Sequence, residues 1–523
     1  MDEQKRVSGK WWTLGAVCVA IFMLLLDTTI VNVALPDIQR SLGSSFSDLQ
    51  WVVDAYALGL AALLLTSGSL ADLLGRRRVF TAGLVLFTLA SLACGLAGSP
   101  LMLNVCRAIQ GIGGSAMLAT SLALLAQAFH GRERGTAFGI FGATIGGAVA
   151  IGPLLGGALT DGIGWEWIFF VNIPVGIAAV FVSLTRVDES RDPRGAAIDW
   201  PGLVTFSAAL FMLVFALVRG NAEGWGSTPI VALLVGSAVL LVAFVLIERS
   251  RERPMLDLHL FRNPTFVGAS AVAFAQSAAM FAMFLYLMLY IQNVLGYEPF
   301  DAGLRFLPFT LLSFFVAPVA GRLAVRIPVR LLLGTGLTLV GLGLLWMSTV
   351  DVDSDWTVLL GGFVMAGLGV GMVNAPLTQV AVGVVSPERS GMASGINNTF
   401  RQVGLATGIA GLGAVFQHEV VGRTTDALAT SRPGRAVLDG LAGHVDHEAL
   451  ANGSTGGLLA RVPAGARESV SHALRVGFTG ALSEILVIGA IVALIGGALG
   501  YALVRRRDMV ASGPQVAEAP AVA

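Results

Sequence analysis

Fourteen apolar runs, each about 20 residues or longer, follow one another between residues 12 and 504. A helix needs roughly 20 consecutive apolar residues to cross the ~30 Å hydrocarbon core of a bilayer. The runs fall at about 12–35, 50–70, 79–98, 102–128, 135–160, 167–185, 200–219, 228–247, 265–290, 302–323, 330–350, 356–380, 391–416 and 477–504. Barrel strands of alternating pattern are absent, so the chain reads as an all-α polytopic membrane protein. Of 523 residues only 13% are charged and 55% are hydrophobic, with a mean hydropathy of +0.78. A soluble domain carries about a quarter charged residues, so a soluble globule and a disordered chain are both excluded. The formal net charge is zero, which gives no footing for a nucleic-acid partner. Cys18, Cys94 and Cys106 all sit inside apolar runs, so neither a disulfide framework nor a zinc site is expected. The first run starts after residue 10 and has no small-x-small cleavage site before the second. It is expected to be retained as a span.

Basic residues predict the orientation. With the N-terminus inside, 22 of the 33 Lys and Arg fall in cytoplasmic segments, among them Arg76–Arg78, Arg322, Arg326, Arg330 and Arg505–Arg507. The short outer loops carry two, Arg40 and Arg219. This asymmetry predicts both termini in the cytoplasm, and an even number of spans. The preference for Arg over Lys, with much Ala, Gly and Val, points to a bacterium with a GC-rich genome.

The two halves match each other at an offset of 253 residues. Gly68-Ser-Leu-Ala-Asp72 aligns with Gly321-Arg-Leu-Ala-Val325, while Asp48 meets Asp301 and Gly83 meets Gly336. Spans 2–3 therefore correspond to spans 10–11. The expected organisation is a six-helix bundle over 1–190, a central two-helix insert over 191–255 and a second six-helix bundle over 256–508, with a cytoplasmic tail over 509–523. An outer loop is expected at 417–476. Duplicated bundles around a midplane site are a plan of secondary transporters.

Polar residues inside apolar runs mark where chemistry can occur, because each is costly there unless paired or facing water. Asp27 lies deep in the first span, with Thr28 and Asn32 four residues apart beside it. A buried carboxyl suits a proton carrier, though it also suits a structural hydrogen bond to a neighbouring helix. Arg107 lies early in the fourth span with Gln110 one turn on, and a guanidinium cannot discharge in the membrane. Asp54 and Glu484 are further acids within spans, and with Asp27 and Arg107 they make up the proton-coupling candidates. Gln110, Asn32, Gln276, Tyr286, Asn374 and Asn398 are the candidates for a substrate cavity. Asn397, Arg401 and Gln402 add polar groups to the second half. Span five concentrates Gly152, Pro153, Gly156 and Gly157, which permit close helix approach and a bend. Gly68, Asp72, Gly75, Arg76 and Arg77 form a tight turn between spans two and three, where Asp72 can hold an ion pair that breaks when the bundles rock. His444 and His447 have the spacing of a metal pair, but no Cys accompanies them and no metal site is expected.

Together these segments resemble the major facilitator superfamily, in particular its fourteen-helix drug:proton antiporters, over essentially residues 10–508. The resemblance rests on Leu26-Asp27-Thr28-Thr29-Ile30-Val31-Asn32-Val33-Ala34-Leu35-Pro36, on Gly68–Arg78, on Leu103–Ala116 and on Gly152-Pro153 with Gly156-Gly157. Gln50-Trp51-Val52-Val53, Gly303–Pro308 and Ser394–Gln402 add to it. It implies a proton-coupled exporter of amphipathic drugs or antibiotics, with Asp27 as the membrane-embedded acid and Arg107 assisting proton transfer. It implies that the fifth-span motif favours antiport and that Asp72 with its Arg neighbours latches the inner gate. Ala148 stands where many relatives have glycine, and Val325 replaces the acid in the second gate copy. The expected partners are protons, a small amphipathic substrate and the lipid bilayer. No cofactor is expected, the proton gradient being the drive, and a monomer is expected. An exporter of lipids, fatty acids or another endogenous metabolite fits the same residues. No nucleophile–base set or phosphate loop argues for an enzyme.

Overall fold

A computed structural model describes residues 2–44, 46–129, 131–191, 199–251, 256–297, 299–386, 389–430, 435 and 466–509. Each expected interval is helical. The first six are α1 (Asp2–Leu42), α2 (Phe46–Ala62) with α3 (Leu64–Leu74), α4 (Arg76–Gly95), α5 (Pro100–Ala128), α6 (Gly131–Gly162) and α7 (Trp167–Phe170) with α8 (Asn172–Arg186). Then come α9 (Trp200–Glu223) and α10 (Thr228–Ser250). The last six are α11 (Pro264–Leu289), α12 (Pro299–Arg305) with α13 (Leu307–Leu323), α14 (Val329–Met347), α15 (Val358–Gly383), α16 (Ser390–Ala429) and Arg467–Leu503, here α17. Among the described residues ten helices are long and apolar enough to cross a membrane, or eleven with α2 and α3 taken as one span bent by 46°. The apolar α13 is only 17 residues long, whereas α6 and α16 reach 32 and 40.

Local sequence explains several helix starts. Ser99, Asp199 and Asn263 accept N-cap hydrogen bonds from Met102, Gly202 and Thr265 respectively. Each precedes a proline in the first turn, where the missing N–H costs nothing. Gly75 joins α3 to α4 at φ +113°, a conformation that favours glycine.

Helices α1, α2, α4, α5 and α8 pack mainly on one another, as do α11 and α14–α17, while α6 and α13 each pack about as closely on a helix of the other group as on their own. The two groups meet where α6 lies along α13 and α16 lies along α3. The pair α9–α10 leans on α2 and α16, its Phe206, Leu210 and Phe244 sharing a core with Leu65 and Ile396. On α10, Val235, Val239, Val242 and Leu246 are exposed, an apolar face suited to lipid.

The boundaries differ from expectation in the last two spans. α16 continues to Ala429 and α17 begins at Arg467, so helix occupies both ends of the segment 417–476 read as an outer loop. At about 1.5 Å per residue, the 40 residues of α16 run ~60 Å, twice the hydrocarbon thickness. Val420 and Leu428 pack with Val470, Ala473 and Leu474 in one buried cluster. Apolar contact therefore sustains both helices where interspersed charges end the hydropathy signal. His444 and His447 lie outside the described residues, as does nearly all of the tail 509–523.

Candidate functional site

Asp27, Arg107 and Gln110 come together in a buried knot. The chain places Asp27 on α1 facing α5, and its carboxylate and the Arg107 guanidinium are each about 1% exposed. Arg107 Nη1 donates to Asp27 Oδ2 at 2.5 Å and to Gln110 Oε1 at 2.8 Å. Gln110 Nε2 donates to Asp27 Oδ1 at 2.8 Å, closing a three-residue ring. Asn172 Nδ2, at the start of α8, donates to the same Oδ1 at 3.2 Å and to Ser91 Oγ of α4 at 3.0 Å. Arg107 Nε donates to the Val52 carbonyl of α2 at 3.0 Å, and the guanidinium sits 4.2 Å over the Tyr56 ring. Tyr56 Oη in turn donates to the Leu24 carbonyl at 3.3 Å.

This network ties α1, α2, α4, α5 and α8 through one charge pair. Paired and hydrogen-bonded charges are tolerable in an apolar interior, whereas a single unpaired one is expensive. Adding a proton to Asp27 would remove the counter-charge of Arg107 and leave a buried guanidinium with neutral partners alone, which weakens one of the ties among these helices. Gly152 and Gly156 of α6 press on α1 at Thr29 and Ile30, next to Asp27, where an added Cβ would meet Thr29 and Ile30 atoms. At Gly157 an added Cβ meets nothing within 4 Å. Thr28 and Thr29 donate back to the α1 carbonyls of Leu24 and Leu25. The side chains of Asn32 and Pro153 lie outside the described ones.

A second cluster sits at the arginine-rich end. Asp72 Oδ1 accepts from Arg76 Nη2 at 2.8 Å, Arg76 Nε at 3.0 Å and the Gly391 N–H at 3.2 Å. Its Oδ2 accepts from the Met392 N–H at 2.9 Å. Asp72 therefore reaches from α3 across to the first turn of α16, where N–H groups have no intrahelical partner. Gly68 makes this reach possible, since a Cβ there would stand 2.5 Å from the Gly391 carbonyl oxygen. Glu189, which the sequence did not flag, accepts from the Arg77 N–H at 3.1 Å and lies 3.6 Å from Arg78 Nε. It packs against Gly75, where any Cβ would strike its carboxylate. Asn172 and Ser91 were likewise missed, being a polar residue beside a helix break and a lone serine in an apolar run.

The other expected residues lie apart from the knot. Asp54 is half-buried on α2, with Arg219 of α9 as its charged neighbour. Glu484 accepts from Arg423 Nη2 at 2.5 Å, a partly exposed pair that also holds Glu419. Gln276 donates to Asn374 at 2.9 Å between α11 and α15. Tyr286 packs on Phe416 at 4.3 Å between ring centres. Asn398 Nδ2 points to the Leu118 carbonyl of α5 at 3.5 Å.

The family model described as Major Facilitator Superfamily matches residues 17–409. The chain belongs to the major facilitator superfamily. It is 42% identical over 404 residues to a protein named Multidrug resistance protein Stp of Mycobacterium tuberculosis, covering 77% of this chain and 75% of that one. To the Puromycin resistance protein pur8 of Streptomyces alboniger it is 36% identical over 411 residues, 78% of this chain and 82% of the relative. The solved structure of the proton:xylose symporter XylE bound to 6-bromo-6-deoxy-D-glucose shares the fold, with a TM-score of 0.61 at 14% identity. That match covers 96% of this chain and 97% of XylE. Membership makes the chain a multi-pass membrane transporter of small molecules, and it places no enzyme chemistry on it.

Proposed function

We propose that the protein exports amphipathic drugs or antibiotics across the bacterial cell membrane in exchange for protons, with both termini in the cytoplasm. The reading takes residues 1–190 and 256–508 as two rocking bundles, with 191–255 as a helical pair beside them. The observation that carries it is the Asp27–Arg107 pair, sealed from solvent and tied to three helices besides its own two. Protonated Asp27 leaves Arg107 with only neutral partners, which disfavours this arrangement and favours another. A substrate that prefers one of the two arrangements is then linked to the proton, because each shifts the population the other needs. The names of the relatives, a multidrug resistance protein and a puromycin resistance protein, supply the substrate class.

The test is uphill export by purified protein in vesicles under an imposed pH gradient, with wild type and Asp27→Asn. Wild type should accumulate drug against its gradient and stop when a protonophore is added. The Asn variant keeps the shape and most hydrogen bonds but cannot carry the proton, so uphill movement should vanish while downhill exchange persists. Uphill export by Asp27→Asn at the wild-type rate would sink the assignment.

A further inference from the structure

The knot satisfies every polar group it gathers, but the second half holds a face of α16 that does not. Ser394, Asn397 and Arg401 follow one another at three and four residues, so they share one side of the helix. Ser394 is 0% exposed and Asn397 2% exposed. Ser394 Oγ, Asn397 Oδ1, Asn397 Nδ2 and Arg401 Nη2 are all buried without a hydrogen-bond partner. Among the described residues no carboxylate pairs with Arg401. Two glycines of α16, Gly404 and Gly408, rest on Phe274 and Ala278 of α11. Gln276 stands on α11 between those contacts, and its Oε1 is also buried and unpartnered. On the other flank Asn398 reaches the Leu118 carbonyl of α5. The open face thus lies where α16 passes between α11 and the first half of the molecule.

Packing alone does not account for this set. Buried polar groups are nearly always bonded, and a cluster of exceptions calls for a group that the chain itself does not supply. A guanidinium that cannot discharge calls for an anion in particular. We infer that this face receives the acidic group of the exported molecule, a carboxylate or ionised phenol. Arg401 supplies the charge, and Asn397 and Ser394 supply hydrogen bonds to the same group. Asp27 offers no matching site for a cation here, since both its oxygens are already occupied. The inference rests on the drug-export reading and narrows its substrate class to amphiphiles bearing a negative charge. A charge-assisted contact to a planar guanidinium also fixes the ligand's orientation.

Two xanthene dyes of one scaffold test it: anionic fluorescein and the esterified, cationic rhodamine 6G. Proton-driven export of each is measured in vesicles of phosphatidylcholine, whose headgroup carries no net charge, so an anionic lipid cannot fill the face. Wild type should prefer fluorescein. Arg401→Gln should lower the fluorescein-to-rhodamine ratio of kcat/KM at least tenfold, mainly by raising KM for fluorescein. Arg401→Lys should recover part of that loss, and Asn397→Ala should repeat it in milder form if Arg401→Gln fails to reach the membrane. Rhodamine 6G export without fluorescein export would overturn the subsite and leave the export reading standing. Equal loss for both dyes, through kcat, would mark Arg401 as structural and also overturn the subsite. Export of neither dye would overturn the export reading, and the subsite with it.

Discussion

The repeat places two helix crossings at the arginine-rich end in equivalent positions, and among the described residues a carboxylate bridges only the first. In the first, Gly68 of α3 lies against Gly391 of α16. In the second, Gly321 of α13, the residue 253 positions on, lies against Gly135 of α6. Both bring backbone to backbone. At the first, Asp72 adds an ion pair with Arg76 and two hydrogen bonds across the crossing. At the second, Val325 takes the place of Asp72 and is exposed, and the Gly321 carbonyl accepts from Gln379 of α15, within the second half rather than across the crossing.

The loss of the acid follows from where the facing helices begin. α16 starts at Ser390, so Gly391 and Met392 lie in its first turn, where their N–H groups have no intrahelical partner and can donate to Asp72. α6 starts at Gly131, four residues before the crossing. The N–H of Gly135 is therefore already committed to a carbonyl of its own helix. An acid at 325 would find no free backbone N–H at Gly135. Steric complementarity survives in both copies, whereas electrostatic complementarity needs a helix N-terminus and survives in one.

The largest expected effects are shared by both crossings. Gly68→Val and Gly321→Val each drive a side chain into backbone that cannot step aside. Overpacking costs ~1–3 kcal/mol even where neighbours yield, and the upper end corresponds to roughly 100-fold in the population of this arrangement. Transport should collapse alike in both, with spin-label distances across each crossing shifting to the alternative state. Tolerance of one valine and not the other would break the equivalence.

Asp72→Asn comes next and separates the crossings. The amide loses the ion pair with Arg76 and offers one acceptor where two were used. Hydrogen bonds to charged groups contribute ~1.5–3 kcal/mol, so opening at α3–α16 should become about 10- to 100-fold more frequent. Hydrogen exchange at Gly391 and Met392 should accelerate accordingly while Gly135 stays slow. Unchanged exchange at Met392 would remove Asp72 from the latch. Glu189→Gln should act more weakly. Its contacts with Arg77 and Arg78 are partly exposed ones at 3.8 and 3.6 Å, worth ~1 kcal/mol or less. Protease sensitivity after Arg186 should rise, with transport reduced no more than about threefold. A loss as deep as that of Asp72→Asn would make Glu189 part of the latch itself.

Asp27, Arg107 and Gln110 were legible in the sequence because each breaks an apolar run, where a polar residue must meet a partner, and Asp72 because it stands beside three arginines in a tight turn. The partners themselves were often silent. Asn172 sits in Val171-Asn-Ile-Pro174, which reads as an ordinary break between helices, and Ser91 is small enough to vanish in any span. Glu189 follows the sixth span among other charges and carries no anomaly. The length of α16 and α17 was hidden for the opposite reason. Their outer turns bury only a stripe, Val420, Leu428, Val470 and Leu474, and a stripe does not register as a span. Glu484 broke an apolar run without joining the knot, because Arg423, one helix away, neutralises it.

The smallest expected effect is also the sharpest discriminator between the crossings. Val325→Asp restores to the second copy the acid that the first one uses. If the acid alone made the latch, this substitution would close α6–α13 more tightly and slow transport by roughly the factor that Asp72→Asn gains. The helix starts argue otherwise. Gly135 has no N–H to give, and position 325 is exposed, so the new carboxylate would hydrate and make at most screened contacts with nearby arginines such as Arg322 and Arg326. Transport and the α6–α13 spin-label distance should therefore change less than about twofold. A strong slowing would show that the latch depends on the acid and the arginines rather than on the first turn of the facing helix. The difference between the two crossings would then lie at residue 325 alone.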